Sequence, residues 1–282
     1  MKELIIYGTV ILYNPDDNTY DNIESYVDYI DRLVVVDNST SHNISLVNKL
    51  KENFDNIIYV NNHDNIGMAT ALNIGCDEAI KLGADWILTM DQDSKFLDFK
   101  EYLNCFYSVK GKENISIISP NSKYTEKPET VDCQCVETMV TITSGSLVNL
   151  LNFELVGRFT DKLFIDEVDH DYCLRSLEQN LKVLLFENIP LIHSLGEKKL
   201  VGVKVRKYHS TIRMYYITRN SFYMASRFNK SFPELYSYRN TFYFDIIKTL
   251  RRVIKYEENK LEKIKNIFLG LYDFLRGKYG KK

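Results

Sequence analysis

The feature that most constrains the fold is an alternation of apolar strands and amphipathic helices through the first hundred residues. Each apolar run is continuous, which is typical of a strand covered on both faces in a parallel sheet. We predict strands over Leu4–Leu12, Leu33–Val36, Ile57–Val60 and Trp86–Met90, with helices from Asn18 or Thr19 to about Ile30, over Ile44–Asn53 and over Ala69–Lys81. This alternation predicts an α/β fold with a mostly parallel central sheet flanked by helices.

The second half of the chain has a less regular pattern. We predict strands over 115–119, 136–143 and 181–186 and a helix over 169–179. The run Ser144-Gly145-Ser146 interrupts the strand pattern. From about Tyr208 the chain is mainly helical, aromatic and basic, so we expect a helical C-terminal extension.

Length, cysteine spacing and missing motifs exclude several classes of protein. A chain of 282 residues can bury a core large enough to fold without disulfides or a structural metal. Its five cysteines have no repeated spacing, so we expect scattered unpaired thiols in a reducing cytosol. The chain has no glycine-rich dinucleotide motif after its first strand and no P-loop motif, which argues against dehydrogenases and P-loop enzymes. Its longest apolar runs are about ten residues, too short to cross a bilayer.

Charge is distributed unevenly between the two ends of the chain. Residues 198–282 contain 21 Lys and Arg against 6 Asp and Glu, so the tail has a net charge of +15 although the whole chain has −2. An acidic body suits a divalent metal, and a basic tail suits phosphates or an anionic lipid surface. The alternative is that the two parts neutralise each other across an interface.

The tail also contains an amphipathic pattern. Apolar residues at helical spacing alternate with basic ones, in the set Ile246, Ile247, Leu250, Val253 and Ile254 with Lys248, Arg251, Arg252 and Lys255. Such a helix can lie on an anionic leaflet. It can equally pack on the catalytic domain or on a second subunit, so a homodimer is left open.

Polar residues follow three of the predicted strands at the point where each strand ends. They are Asn14, the turn Asp37-Asn38-Ser39, and the turn Asp91-Gln92-Asp93. Ligands of open parallel sheets bind beyond the carboxyl ends of the strands. Two carboxylates at i and i+2 point to the same side and can share Mg²⁺ or Mn²⁺. The alternative for this pair is a capping turn without a metal.

Several motifs in a fixed order resemble glycosyltransferase family 2, the inverting GT-A enzymes that use nucleotide-diphosphate sugars. They are Thr9–Pro15, Val34–Ser39, the helix entry Asn65–Gly75, and Asp91-Gln92-Asp93 at the place of the metal-binding Asp-x-Asp. Three segments are similar to the bacterial rhamnosyltransferase branch, namely Leu88–Ser94, Phe164–Arg175 and His193–Gly196. The resemblance spans roughly residues 4–220 and does not cover the tail beyond about residue 230.

The resemblance implies a fold, a domain plan and an activity. It implies a GT-A-like, Rossmann-like catalytic domain over 1–225, with a nucleotide-sugar half at 1–100 and an acceptor half at 101–225, followed by a basic helical extension at 226–282. The implied reaction is inverting, metal-dependent transfer of a sugar from a dTDP- or UDP-linked donor, rhamnose from dTDP-rhamnose in this branch. The acceptor would be a hydroxyl of a cell-surface polysaccharide or a lipid-linked oligosaccharide. We expect a cytoplasmic enzyme, peripheral at the inner face of the membrane, without a nucleic-acid partner.

Site residues follow from the same resemblance. It places the donor nucleotide near Thr9, Tyr13, Asn14, Asp37, Asn38, Asn65, Gly67 and Asp91. It assigns Mn²⁺ or Mg²⁺ to Asp91, Asp93 and His193. Arg213, Tyr216 and Arg219 follow one another at steps of three and Asn220 is four residues after Tyr216, so one helix face is expected to present Arg213 and Arg219 to the diphosphate.

A general base for the acceptor hydroxyl is expected in the acidic cluster 166–171. Inversion by direct displacement needs one carboxylate near the attacking oxygen. The family pattern Glu-Asp-x-Asp-Leu-x-x-Arg places its catalytic aspartate on Asp169, although Val168 stands where the pattern has Glu. Asp166 is the second candidate. Arg175 is expected to be a structural partner.

Two other functions remain open from the sequence. A sugar nucleotidyltransferase would need a glycine-rich basic loop after the first strand, whereas Asn14–Asn18 is acidic and contains no glycine. A non-catalytic carbohydrate-binding protein with the same fold would bind the donor without turnover.

Overall fold

A computed structural model describes residues 4–41, 43–122, 132–193, 198–201, 204–207 and 209–282; for 198–201, 204–207 and 243–245 it describes the backbone alone. The chain divides into two compact units. The first contains residues 1–159 and 172–194, and the second contains residues 160–171 and 195–282. The predicted boundary at 225 does not coincide with this division, since residues 160–171 cluster with the C-terminal helices.

The first half of unit one has the predicted alternation of strands and helices. In chain order the elements are β1 (Ile6–Leu12), α1 (Thr19–Glu24), β2 (Arg32–Asp37), α2 (Ile44–Asn53), β3 (Ile57–Asn61), α3 (Met68–Lys81) and β4 (Trp86–Asp91). The four strands are parallel in the order β3-β2-β1-β4. Parallel pairing in this order follows from helical crossovers, which return the chain to the same end of the sheet.

The second half of unit one extends the same sheet with mixed strand directions. Its elements are β5 (Ser94–Phe96), α4 (Phe99–Ser108), β6 (Ile115–Asn121), β7 (Cys135–Glu137), β8 (Ser146–Asn149), α5 (Leu150–Val156), α6 (Val168–Glu178) and β9 (Lys182–His193), where only residues 172–178 of α6 belong to this unit. Strand β8 pairs antiparallel with both β4 and β6. Strand β9 is parallel to β6 and antiparallel to β5. The sheet is therefore mostly parallel on one side and mixed on the other.

The core of unit one lies between the sheet and its helices. Val10, Leu33, Val35 and Leu88 of the central strands are completely buried, as expected for strands covered on both faces. Burial of each such side chain stabilises the fold by roughly 1.5–3 kcal/mol. Aromatic rings extend this core, with Phe96 stacked on Tyr102 at 5.1 Å between ring centroids.

Unit two is built around two long helices. After a hairpin of β10 (Lys198–Val201) and β11 (Lys204–Lys207), its helices are α7 (Thr211–Phe228), α8 (Tyr238–Asn240), a π-helical stretch over Thr241–Ile247, α9 (Lys248–Tyr256) and α10 (Lys260–Leu275). Met214, Phe222, Ile246, Val253 and Ile267 form a buried cluster, and Leu250 packs against it. Most of the apolar stripe predicted for a lipid surface is therefore in the core of this unit, because its residues pack against α7 and α10.

Two further expectations can be compared with the described residues. Cys105 and Cys133 form a disulfide, so the prediction of unpaired thiols was wrong for these two residues. In the described parts of the chain, no helix is long and apolar enough to cross a membrane. Ser194–Gly196 of the predicted His193–Gly196 motif lie outside the described residues.

Candidate active site

The strand register places two predicted acidic residues at the carboxyl edge of the parallel sheet. Strand β1 lies between β2 and β4, and Leu12 pairs with Asp37 while Ile11 pairs with Asp91. The two carboxylates therefore end the strands on either side of β1, at nearly the same level of the sheet. This edge is where open α/β sheets bind their ligands.

Asp91, Asp93 and His193 form a three-residue cluster in unit one. The antiparallel register of β5 and β9 pairs Ser94 with His193, which brings the imidazole beside the acidic turn. His193 Nε2 is 3.2 Å from Asp93 Oδ1 and 3.7 Å from Asp91 Oδ2, and one ligand atom from each residue lies within 4.8 Å of the others. Carboxylate oxygens are preferred ligands of Mg²⁺ and Mn²⁺, and imidazole is a common metal ligand. The residues fit a divalent cation.

Gln92, to which the sequence analysis gave no role, fixes the turn between these two carboxylates. Its Nε2 donates to the carbonyl of Tyr13 at 3.1 Å, and its Oε1 accepts from the Tyr13 backbone N–H at 2.8 Å. The Asn22 side chain donates to the Gln92 carbonyl at 2.8 Å. The two hydrogen bonds of the Gln92 amide resemble those between paired strands, and they hold the end of β1 against the Asp91–Asp93 turn.

Buried serines support the same turn from the other side. Ser144 Oγ accepts from the Asp91 backbone N–H at 3.2 Å and donates to Ser94 Oγ at 2.8 Å. Both serines are buried. The serine–glycine run that interrupts the strand pattern in the sequence is therefore part of the support of the Asp91–Asp93 turn.

Asp37 is almost completely buried at the end of β2, and its two carboxylate oxygens have different partners. Oδ1 accepts from the Ser39 backbone N–H, and Oδ2 accepts from the Tyr59 hydroxyl, both at 2.8 Å. Burial, and then the hydrogen bond to Asp37, raise the pKa of Tyr59 above its usual range, so the hydroxyl keeps its proton. Tyr59 was missed by the sequence analysis, although its place on the next strand of the pattern was a signal.

The other residues predicted to bind the donor nucleotide line the turns beside Asp37. Asn14 donates its backbone N–H to Ser39 Oγ at 2.7 Å. Asn38 Nδ2 donates to the Gly67 carbonyl at 3.2 Å, and Asn65 Oδ1 accepts from the Gly67 N–H at 3.0 Å. Gly67 has φ +93°, which a glycine adopts without a Cβ clash. These bonds join the end of β1, the end of β2 and the start of α3.

Thr9 does not belong to this group. Its side chain is completely buried beneath α3, where a Cβ on Gly75 would lie 2.2 Å from Thr9 Oγ1. The prediction that Thr9 contacts the nucleotide is corrected, because the close approach of α3 to β1 covers this side chain.

In unit two, the acidic cluster 166–171 has separate partners for its members. Arg213 Nη2 donates to Asp166 Oδ1 at 2.7 Å, and Arg213 Nε donates to the same carboxylate at 3.0 Å. Asp171 is buried and accepts from Thr160 Oγ1 at 2.6 Å. Asp169 lies in the first turn of α6 and accepts from the His170 backbone N–H at 2.9 Å. Asp166 is thus bound to an arginine, and Asp169 is not part of that pair.

Burial and the neighbouring charges shift the pKa of the Asp169 carboxyl. Burial raises the pKa of the Asp169 carboxyl above its usual value, while the neighbouring His170 charge opposes this effect. Burial alone would lower the pKa of His170, but its hydrogen bond to Glu167 and the charges of Asp169 and Glu167 raise it to about 9. Tyr236 donates to the Glu167 carboxylate, and its oxygen is 2.8 Å from His170 Nδ1. His170, Glu167 and Tyr236 are a network that the sequence did not reveal.

The predicted pair of diphosphate-binding arginines is corrected by the structure. Arg219 is completely buried, and its guanidinium donates to the carbonyls of Lys162 (3.0 Å) and Gly280 (2.7 Å). Arg213 is part-exposed and paired with Asp166. Spacing of six residues does not place both on one exposed face, because the Arg219 side of α7 is buried. Arg175 is structural, as expected, and donates to backbone carbonyls of residues 156–158.

Comparison with known proteins identifies the family of this chain. The family model described as glycosyl transferase family 2 matches residues 9–100. The chain is 31% identical over 297 residues to a protein named dTDP-rhamnosyl transferase RfbF of Shigella flexneri, with 96% of each chain covered. The chain belongs to glycosyltransferase family 2. The resemblance inferred from the motifs is confirmed, and this glycosyltransferase is similar to its rhamnosyltransferase branch.

Solved structures support the fold of the glycosyltransferase. TarS residues 1–349 of S. aureus in complex with UDP-GlcNAc has a TM-score of 0.57 at 14% identity, covering 99% of this chain and 93% of that one. A mannosyltransferase of Pyrobaculum calidifontis in complex with GDP-Man and Mn²⁺ has a TM-score of 0.58 at 13% identity, covering 96% and 75%. At these identities the likeness concerns the fold, which is GT-A-like.

Proposed function

We propose that this glycosyltransferase moves rhamnose from dTDP-rhamnose to a hydroxyl group of a cell-surface polysaccharide or its lipid-linked precursor, inverting the anomeric carbon. The observation that carries the proposal is the cluster of Asp91, Asp93 and His193 at the carboxyl edge of the sheet. The choice of donor is supported by the printed name of the Shigella flexneri relative. UDP-linked donors are the alternative from the sequence.

A divalent cation, Mn²⁺ or Mg²⁺, is proposed at the three-residue cluster. Asp91, Asp93 and His193 would hold it, and Gln92 would keep the turn in place. The bound ion would supply positive charge near the diphosphate, where negative charge grows as the sugar leaves. The mannosyltransferase solved in complex with Mn²⁺ is a neighbour in fold and supports this cation class.

Asp37 is proposed to hold the nucleoside of the donor. A carboxylate can only accept hydrogen bonds, so it suits the N–H of a pyrimidine base or a ribose hydroxyl. Ser39 and Tyr59 already donate to its two oxygens and fix its orientation. Tyr13, Asn14, Asn38, Asn65 and Gly67 are proposed to line the same end of the sheet.

Asp169 is proposed as the general base. It would accept the proton of the acceptor hydroxyl while the oxygen forms its bond to the anomeric carbon and the bond from that carbon to the diphosphate breaks. The nucleoside diphosphate then leaves with the electron pair. Asp166 is the second candidate, but its carboxylate is bound by Nε and Nη2 of Arg213, which restrains its position. The raised pKa of Asp169 suits a base that must accept a proton.

We also propose that the enzyme is cytoplasmic and touches the inner face of the membrane through unit two. Helix α10 has Lys265 on its surface and Arg276 directly after its end, and it exposes four large apolar side chains: Leu261, Phe268, Tyr272 and Leu275. An apolar stripe with neighbouring cations suits an anionic leaflet. This contact would bring the enzyme to a lipid-linked acceptor.

The experiment that tests the activity follows release of dTDP from dTDP-rhamnose by the purified chain. Turnover with Mn²⁺ or Mg²⁺, its loss with EDTA, and its increase on adding an oligosaccharide acceptor are expected. UDP-glucose serves as the control donor, and NMR of the product gives the anomeric configuration. Donor binding without turnover under all these conditions would show a non-catalytic binding protein instead.

A further inference from the structure

The segment that precedes α6 has a backbone that non-glycine residues seldom adopt. Phe164, Asp166 and Glu167 have φ values of +66°, +64° and +65°, and none of them is a glycine. Phe164 is the centre of a γ-turn of positive φ, with ψ −62° and a hydrogen bond of 2.8 Å from the Ile165 N–H to the Leu163 carbonyl. Turns of this kind are rare and strained. Such strain persists only where the surroundings hold it, and it is concentrated at functional sites.

Two consecutive buried residues of α7 hold this segment. Asn220 Nδ2 lies within hydrogen-bonding distance of three of its carbonyls, those of Leu163 (2.9 Å), Ile165 (2.7 Å) and Asp166 (3.0 Å). Arg219 Nη2 donates to the carbonyl of Leu163 at 2.9 Å, and Arg219 Nε donates to Asn220 Oδ1 at 3.0 Å. Both side chains have 0% exposure. Both side chains donate to backbone carbonyls, so this restraint does not depend on the side chains of the segment.

The segment leads directly into the helix turn that bears Asp169. The Asp171 N–H donates to the Glu167 carbonyl at 2.9 Å, so the first turn of α6 starts from the strained residues. A displaced segment would therefore rotate or unwind the turn that contains Asp169. Small displacements of a reacting group have large effects on rate because the reacting atoms must be aligned.

We propose that Arg219 and Asn220 are positioning residues for the transfer reaction: they hold the strained backbone of Phe164–Glu167 so that the first turn of α6 presents Asp169 to the acceptor hydroxyl. The inference rests on the proposed role of Asp169 as base. It assigns a function to a buried arginine and asparagine that lie outside the metal and nucleotide residues.

The test compares two asparagine substitutions on the same helix. Asn220→Ala removes the donor to three carbonyls, whereas Asn229→Ala removes a side chain that bonds to its own helix at the Ala225 carbonyl. For Asn220→Ala we expect kcat to fall by roughly tenfold or more while the KM for dTDP-rhamnose changes by less than about twofold. Amide hydrogen exchange of residues 163–171 should become faster. Asn229→Ala should match the wild-type chain in kcat and in exchange of this segment.

Each outcome decides between the inference and the proposed function. An Asn220→Ala variant with kcat within about twofold of the wild type overturns the inference. An equal loss in donor affinity, measured by the thermal shift with Mn²⁺ and dTDP, also overturns it, because it shows a general structural role. Normal turnover in Asp169→Asn instead overturns the proposed base. Should Asn220→Ala fail to fold, amide hydrogen exchange of the wild-type chain tests the inference instead. If the Ile165 and Asp171 amides were less protected than those of α7, Arg219 and Asn220 would not be restraining the segment.

Discussion

At the scale of single residues, side-chain amides and hydroxyls hold in place the carboxylates that are proposed to bind ligands. Gln92 pairs with the backbone of Tyr13, and Tyr59 donates to Asp37. Neither residue belonged to the predicted site, because sequence motifs mark the groups that touch ligands and not the groups that orient them. Supporting hydrogen bonds of this kind fix ligand geometry and affect affinity strongly.

The Tyr59 hydroxyl offers a test of the donor site. Tyr59→Phe removes one donor from the buried Asp37 carboxylate without changing the ring. Hydrogen bonds to charged groups contribute about 1.5–3 kcal/mol, so the KM for the donor should rise by roughly tenfold or more with kcat little changed. Tyr29→Phe is the control, since Tyr29 is an exposed ring packed on Phe99. Unchanged donor KM in Tyr59→Phe would argue against nucleoside binding at Asp37.

Because Asp93 is a proposed metal ligand, we expect the Asp93→Asn variant to lose its response to Mn²⁺. This change keeps the shape of the side chain but removes the charge that binds the cation, so metal-dependent dTDP release should fall by roughly 100-fold or more. The Mn²⁺-induced rise in melting temperature should disappear as well. Asp98→Asn is the matched control because Asp98 caps α4. Full Mn²⁺ response in Asp93→Asn would remove the metal assignment.

The raised pKa of Asp169 predicts opposite effects on activity and stability. The contribution of such a carboxyl to stability is fully present below its ordinary pKa of 3.8 and is lost as the pH rises through the raised value. At pH 7 Asp169→Asn should therefore raise the melting temperature, by roughly 2–4 °C for each kcal/mol regained, while turnover is abolished. Melting curves from pH 3 to pH 8 should show the difference vanishing in acid. A lower melting temperature at pH 7 would contradict the buried-charge account.

At the scale of elements, the sequence predicted the parallel half of the sheet and missed part of the mixed half. The predicted helix Ile44–Asn53 agrees with α2 at both ends, and the four predicted strands lie within β1–β4 to about a residue or two. The predicted strand over 136–143 was wrong, since β7 ends at Glu137 and β8 starts at Ser146. Continuous apolar runs report burial on both faces, whereas the short mixed strands depend on pairing with distant residues.

The site could be predicted to a similar extent and for related reasons. The cluster of Asp91, Asp93 and His193 was expected, the two aspartates from their place at a strand end and His193 from the family resemblance. The burial of Arg219 was not, because helical spacing shows which residues share a face and not which face is covered. The partners of Arg219 are backbone carbonyls, which every sequence has.

The contact between α7 and α10 predicts an unusual response to a glycine substitution. A Cβ on Gly270 would lie 2.5 Å from the Tyr215 carbonyl oxygen and 3.2 Å from the Arg219 backbone nitrogen. Glycine to alanine within a helix normally stabilises by about 1 kcal/mol, but here the clash should destabilise by roughly 1–3 kcal/mol. Urea titration of Gly270→Ala, with the exposed Lys265→Ala as control, measures this. A more stable Gly270→Ala chain would show that the helices can move apart freely.

At the scale of the whole molecule, the structure shows in which unit the basic part of the sequence lies. The basic end of the chain forms most of unit two, while the cluster of Asp91, Asp93 and His193 belongs to unit one. Much of the apolar stripe predicted from α9 is in the core, and the exposed apolar side chains are on α10 instead. Leu261 is 86% exposed and Leu275 is 72% exposed. Large apolar side chains that are so fully exposed beside cations indicate that this face of α10 is an interaction surface and not only part of the fold.

A membrane contact through α10 predicts binding that depends on lipid charge. The chain should sediment with phosphatidylglycerol vesicles at low salt, less with phosphatidylcholine vesicles, and less again as salt screens the cations. The triple variant Leu261→Ser, Phe268→Ser and Leu275→Ser should lose this binding because it removes the apolar contact. The control, Leu151→Ser with Leu155→Ser, changes two exposed apolar residues of α5 and should still bind. Equal vesicle binding by both variants would exclude α10 as the contact, and conversion of a dimer to a monomer by the triple variant would assign the stripe to a second copy of the chain.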